Sequence, residues 1–513
     1  MQRRLAAAQV ELGPKGIGEL LGVLASVLVV SVLFITVVGM FQGRALALLT
    51  GGLVAAVALA SLTFFRWEWV LLVGVVALPL ESLRLPVFVG QTQVGLWDAC
   101  VFAALLGWAV SGRRTPAVRS EPTRASQMDT MGLAVVMTGG VFAASTVIGR
   151  VQRGEQALNI GSIEIVVWYF VARAMCANAG ARRGVLAAIV LSGAVQGAYG
   201  TLQHWGVLSH PMNYDVQPRG FLHWLFRFGP VMVDPGCGSL PNFTALGHYL
   251  SQCFPSAALL SFSLPKGMAR TAARVAMVLI VSGLITSYAR GSLLCAVIAM
   301  IAALLLLSRG EAAVRARGAG LALAALAILL VFAAISTEYK TTLNLTSRQS
   351  IWREQLADFP ASGWDLMVGR GLGYSRDVVR IGAHSTYVMA LVDTGLMGCA
   401  ALATLIGAGL LSPVFALRGP KVGERELASF VGFAAALTFA IDGLVESYWS
   451  GYSFAMSQLV LLAALGAGAR LETPSGEADA GSGRATSRPR RPPRARPARP
   501  GADAGAAGAA SPD

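Results

Sequence analysis

Acidic side chains are scarce in this chain: 27 Asp and Glu face 41 Lys and Arg among 513 residues, and only 13% of the residues are charged. No His-Glu-x-x-His and no Asp-rich metal motif occurs anywhere, and residues 337–383 hold no paired carboxylates at glycosidase-like spacing. Hydrolysis and metal-dependent transfer are therefore disfavoured, and the expected complement of metals and cofactors is none. The cysteines, Cys100, Cys176, Cys237, Cys253, Cys295 and Cys399, show no ligand spacing. Five sit in or beside apolar runs and read as small buried hydrophobes, while Cys237 falls in a polar stretch.

What is present is apolar sequence, 55% of the chain, with a mean hydropathy of +0.61. A spanning helix needs roughly 20 mainly apolar residues, and Leu20–Val38, Met128–Ile148, Val185–Gln203, Phe243–Phe262 and Gly320–Ile335 meet or approach that length. A signal peptide accounts for the first run alone. Fourteen apolar segments centre near residues 29, 54, 74, 103, 139, 168, 195, 253, 280, 299, 328, 397, 435 and 457. One of these, Trp67–Leu80, is short, and two are nearly continuous across Ser287–Gly291. The fold class expected is all-α, a polytopic integral membrane protein with 12–14 transmembrane helices.

The net charge of +14 is distributed by connection. Arg113, Arg114, Arg119 and Arg124 fall in one, Arg182 and Arg183 in another, Lys266, Arg270 and Arg274 in a third, and Arg309, Arg315 and Arg317 in a fourth. With fourteen spans all four lie on one side, which the positive-inside rule makes cytoplasmic together with both termini. Nucleic acid is not an expected partner. Three regions follow: a cytoplasmic segment 1–17, a membrane body 18–470 with outward loops 207–241 and 337–383, and a Pro/Ala/Arg-rich tail 471–513. The tail has almost nothing apolar to bury and reads as disordered.

The loop 337–383 holds the densest chemistry. Ile351, Trp352, Gln355, Leu356 and Phe359 predict a short amphipathic helix over Ser350–Phe359, stopped by Pro360 and Gly363. Gly369-Arg-Gly-Leu-Gly373 lacks the preceding strand and following Lys-Ser or Lys-Thr of a phosphate loop, so its glycines predict a tight reversal or a close backbone approach to a ligand. His384 opens the next apolar run, where an imidazole can accept a proton from a hydroxyl. Arg290 stands between two apolar helices, where a guanidinium requires an anion or a water-filled cavity. Arg290, Arg348, Arg370, Arg376 and Arg380 together suit a lipid-linked diphosphate.

Three stretches carry a family resemblance. Arg348-Gln-Ser-Ile-Trp352, then Gly369-Arg-Gly-Leu-Gly373, then the run from Ala383-His-Ser-Thr-Tyr387 to Gly398 resembles the periplasmic loop of the bacterial O-antigen ligase and polysaccharide polymerase superfamily. Ser287-Tyr-Ala-Arg-Gly-Ser292 is similar to that family's Ser-Arg-Gly turn, and Gly236-Cys-Gly-Ser-Leu-Pro-Asn242 to its Pro-Asn turn. The likeness covers roughly residues 20–465.

That resemblance implies a GT-C-like, metal-independent inverting glycosyltransferase in the bacterial inner membrane, with its active site facing the periplasm. Its donor is an undecaprenyl-diphosphate-linked glycan. The acceptor is a lipid-linked repeat unit for a polymerase or lipid A-core for a ligase, and the remaining partners are membrane lipids and polysaccharide-assembly proteins. His384 matches the catalytic histidine, Arg290 the turn arginine and Arg348 the loop arginine. Arg227 or Arg219 matches the arginine before the Pro-Asn turn, and Asn242, Arg370 and Tyr387 join the substrate-binding set. Two positions depart from the pattern: Ser385 replaces an Asn and Asp393 replaces a Glu. Polymerase is the leading expectation, ligase the alternative, and a transporter of lipid-linked oligosaccharide the reading from another class.

Overall fold

A computed structural model of the chain describes residues 67–80, 84–89, 92–111, 129–152, 160–208, 235–240, 242–264, 266–307, 345–357, 359–374, 384–416, 423–444, 446 and 453–471. The segment 1–17, the tail beyond residue 471, most of the outward loop 207–241, part of the loop 337–383, and Arg219, Arg227, Arg376 and Arg380 lie outside the described residues. The chain divides into a unit Met1–Glu472 and a second, Thr473–Asp513.

The first unit is mostly helical. In chain order come α1 (Trp67–Ala77), the strands β1 (Arg84–Val89) and β2 (Thr92–Gly95), α2 (Leu96–Ser111), α3 (Thr130–Gln152), α4 (Ile160–Cys176) and α5 (Ala179–His204). Next follow α6 (Phe243–Ser263), α7 (Met268–Thr286), α8 (Arg290–Leu307), α9 (Leu345–Ala357) and α10 (Gly363–Val368), then α11 (Thr386–Ala416), α12 (Gly423–Asp442) and α13 (Ser453–Leu471). Eleven of the fourteen apolar segments coincide with helices, and those near residues 29, 54 and 328 lie outside the described residues. Among the described residues three helical stretches, Gly180–His204, Met268–Thr286 and Thr386–Val414, are long and apolar enough to cross a membrane. Three of the expected 12–14 spans are thus matched by length; the other apolar stretches among the described residues, such as Trp67–Ala77 and Leu96–Ala109, run 10–17 residues.

The exception to an all-helical body is the hairpin of β1 and β2. Val89 pairs with Thr92 and Phe88 with Gln93, and the register shifts before Arg84 meets Gly95. Pro86 lies in the shifted stretch, where a residue without an N–H cannot extend the ladder. β-branched and aromatic residues around it favour the extended form.

Small residues and polar hydrogen bonds set the helix directions. α5 and α7 run parallel, with Gly193 beside Ile280 and Thr201 Oγ1 3.0 Å from Ser282 Oγ. A methyl group on Gly283 would overlap the Cα of Gly197, so these backbones meet as closely as two glycines allow. α6 runs against α5: the Tyr249 hydroxyl donates to Ser192 Oγ at 2.8 Å, while Leu246 packs on Gly200. Trp168 Nε1 donates to the Ser457 carbonyl at 2.8 Å, joining α4 to α13. Interhelical bonds of this kind contribute about 0.6 kcal/mol each in lipid.

These directions give the bundle two unlike ends. One gathers the first turns of α5 and α7, with Arg182, Arg183, Arg270 and Arg274. Arg182 is buried and donates to the Cys176 carbonyl at 2.8 Å, while Arg270 Nε donates to the Ser261 carbonyl at 2.9 Å. The other end gathers the last turns of α5, α7 and α12 and the first turns of α6, α8 and α11.

Candidate functional site

The candidate site lies at the other end, away from Arg182, Arg183, Arg270 and Arg274. α7 passes into α8 through Ser287-Tyr-Ala-Arg, and Tyr288 adopts a left-handed conformation there (φ 55°). His384 has φ 45°, and these are the two non-glycine residues of positive φ among the described residues. Such backbone costs about 1–3 kcal/mol unless its surroundings fix it, and it collects at functional sites. Both instances fall in stretches that the residue chemistry singled out.

His384 stands just before α11, 45% exposed at its side chain, with Nδ1 3.9 Å from Glu446 Oε2. Arg348 on α9 reaches the other oxygen of the same carboxylate, Nη2 to Oε1 at 3.4 Å. One acid thus joins the proposed base to the loop arginine. The backbone around it is fastened: Glu446 N–H donates to the Asp442 carbonyl at 2.9 Å, and its carbonyl accepts from Thr386 Oγ1 at 2.8 Å. Thr386 N–H donates to the Gly443 carbonyl at 2.7 Å, and the Tyr387 hydroxyl donates to the Ala440 carbonyl at 2.6 Å. Tyr387 is thereby committed to α12, and Ser385 Oγ accepts from Val388 N–H at 3.5 Å in the manner of an N-cap.

Below this layer lies a buried polar cluster. Asp442 Oδ2 lies 2.8 Å from His248 Nδ1 on α6 and accepts from Ser292 Oγ on α8 at 2.8 Å. Gln252 Nε2 sits 2.7 Å from His248 Nε2. All four side chains are essentially excluded from solvent. Ser292 is two residues beyond Arg290, whose backbone begins α8, so the helix start that carries Arg290 is tied through Asp442 and Gly443 to the helix start that follows His384.

No protein-family model matches this chain, and no curated protein matches it.

The glycine loop has a structural use. Arg370 N–H donates to the Val392 carbonyl at 3.0 Å, Gly371 N–H to the Asp393 carbonyl at 2.9 Å, and Gly373 N–H to Asp393 Oδ2 at 2.9 Å. Amides committed in this way cannot also cradle a phosphate. Gly369 (φ 74°) and Gly395 (φ 63°) lie back to back, and Gly395 breaks the helical φ/ψ run of α11. The loop is a tight reversal against a kinked helix, rather than a close approach to a ligand. Asp393 supplies the carboxylate that closes it. Arg370 is engaged by Tyr374, Nη1 to the hydroxyl at 2.9 Å, and by Asp365, Nε to Oδ2 at 3.7 Å.

Asn242 caps α6, its Oδ1 accepting from Ala245 N–H at 2.7 Å and from Thr244 Oγ1 at 2.8 Å. The preceding turn is held by α5: Gln203 Oε1 accepts from the amides of Cys237 (3.1 Å) and Gly238 (2.7 Å), and Gln196 Oε1 accepts from Ser239 N–H at 2.9 Å. Cys237, expected in a polar stretch, is 3% exposed, and burial pushes its thiol up to about 11. It stays protonated and unreactive at neutral pH.

His248 was not singled out in the sequence, Ser292 stood only as the end of the Ser287–Ser292 turn, and Asp442 and Glu446 were charged groups whose place the sequence left open. Asp442 and Glu446 are four apart at the end of an apolar helix in a chain short of acids, and intramembrane acids are functional candidates by default. His248 is one of five histidines and falls inside an apolar run. Arg173, another charged group inside an apolar run, has its Nε 3.8 Å from Asp129 Oδ2, away from this site.

Proposed function

We propose that this chain is a polysaccharide polymerase of the O-antigen ligase and polymerase kind. It transfers an undecaprenyl-diphosphate-linked glycan onto a lipid-linked repeat unit at the periplasmic face of the bacterial inner membrane. The observation that supports this reading best is the meeting of Arg348 and His384 at one carboxylate, at the bundle end away from the first-turn arginines of α5 and α7. Transfer to lipid A-core is the ligase form of the same chemistry and uses the same residues.

The reaction needs a base for the acceptor hydroxyl and positive charge for the leaving diphosphate. His384 removes the hydroxyl proton as its oxygen attacks the anomeric carbon from the face opposite the diphosphate, and the configuration inverts. The bond from that carbon to the diphosphate oxygen breaks, and the electron pair leaves with undecaprenyl diphosphate. Arg348 and Arg290 stabilise the charge that develops there, the role metals fill elsewhere. Purified protein given a lipid-linked repeat should form polymer in the presence of EDTA, and lipid A-core should add no product. Product formed only with lipid A-core would convert the assignment to ligase. Activity restored only by Mg²⁺ or Mn²⁺ would contradict the arginine mechanism, and ATP-independent passage of unchanged donor across vesicles without transfer would make the chain a transporter.

Orientation is tested separately. Ala361 is exposed between α9 and α10, and Ala361→Cys keeps the Ser362 Oγ that caps α10. The native cysteines are buried except for half-buried Cys399, so background labelling is low. An impermeant maleimide should label Cys at this position in cells with permeabilised outer and intact inner membranes. Labelling only after the inner membrane is disrupted would reverse the topology.

A further inference from the structure

Glu446 has a geometry that a simple ion pair does not require. Its carboxylate is divided between Arg348 at 3.4 Å and His384 at 3.9 Å. Charge-assisted contacts close at about 2.7–2.9 Å, so neither end is drawn tight. The main chain is pinned at both its N–H and its carbonyl, leaving only the side chain to shift between the two. The side chains of all three residues retain contact with water, 22% for Arg348, 13% for Glu446 and 45% for His384, so the place is open to a solute. A guanidinium fork holds a carboxylate and a phosphate in the same way, so a phosphate that takes the Nη2 edge competes with Glu446 for it.

We infer that Glu446 is a stand-in anion for the donor diphosphate and the positioning residue of His384. Without donor it holds Arg348. When the lipid-linked diphosphate arrives it gives up the guanidinium, moves onto His384 Nδ1–H and turns Nε2 toward the acceptor hydroxyl. The acceptor proton passes to Nε2, while Nδ1 keeps its own proton against the carboxylate. The inference rests on the proposed transfer reaction and assigns it a residue that no motif marked.

The test is a split between binding and turnover in the purified full chain. Glu446→Gln, nearly isosteric, should bind undecaprenyl diphosphate about threefold to fivefold more tightly, since the competing anion is gone. Its single-turnover transfer at saturating donor and acceptor should fall about 10²-fold, since the imidazole loses its orientation. Glu446→Asp, which draws the charge back by one methylene, should show a smaller tightening. The tightening should vanish when Arg348→Ala is added to Glu446→Gln. A merely structural role predicts weaker binding and slower transfer together, with a lowered melting temperature. Weaker or unchanged binding in both the Gln and Asp variants at wild-type melting temperature would overturn the inference while wild-type transfer stands. Tighter binding of undecaprenyl diphosphate by the Gln variant of a wild type that transfers no sugar would instead retain the stand-in anion and remove the polymerase reading.

Discussion

His384→Ala lowers single-turnover transfer by about 10²–10⁴-fold at saturating donor and acceptor, the range that a positioned general base supplies. Binding of the donor should persist, because the arginines proposed to hold the diphosphate are untouched. Alanine at this position also takes on left-handed backbone, φ 45° in the native chain, which disfavours it by roughly 1–2 kcal/mol. His384→Asn is therefore the sharper variant: asparagine tolerates that conformation and cannot act as the base. Equal melting temperatures and a comparable loss of turnover in both variants would assign the loss to chemistry. Near-wild-type turnover in His384→Asn would reject the base and leave the residue a binding group at most.

Asp442→Ala has the largest expected effect on stability. The substitution removes the oxygen that His248 and Ser292 share, each at 2.8 Å, from a place that none of the three side chains exposes to solvent. Each buried group left without its acceptor destabilises by about 1–3 kcal/mol, and two are affected. Asp442→Asn keeps one acceptor oxygen and should lose less. Thermal unfolding of the detergent-solubilised protein should therefore rank wild type above Asn and Asn above Ala. A wild-type melting temperature for Asp442→Ala would show that the cluster contributes little to holding α6, α8 and α12 together. Transfer should decline in the same order, because Ser292 sets the first turn of the helix that Arg290 begins.

The helices were readable because a membrane body announces itself by length and apolarity. The loop helix was expected as an amphipathic one over Ser350–Phe359; it lies at Leu345–Ala357, starting five residues and ending two residues earlier, and it has no clean apolar face, since Gln355 is buried and Leu356 exposed. The hairpin at residues 84–95 escaped because six and four extended residues leave too short a pattern beside apolar runs. His384 and Arg290 stood out as ionisable groups beside apolar sequence, and Arg348 as one of the loop arginines. Glu446 stood only as a charge without a place, because its meaning comes from two partners on α9 and before α11, and one sequence does not say which helix ends meet. The same limit hid His248, whose partners are Asp442 on α12 and Ser292 on α8. The glycine loop was half readable: its reversal follows from the glycines, whereas its target, the kink at Gly395, is a tertiary fact.

The close meeting of α5 and α7 divides the tolerance of α7 for change into two sides. Codons for Val275, Val278 and Ile285, which point away from the protein, can drift among aliphatic residues with little consequence. Gly283 has no such latitude, because any larger side chain would have to push the two backbones apart. The last turn of α7 also accepts the Gly236 amide at the Thr286 carbonyl, 3.0 Å away, so widening that seam would displace the turn leading into α6. A substitution at Gly283 therefore acts at a distance: its first casualty is the alignment of α6 with α8, well before the helix itself is lost.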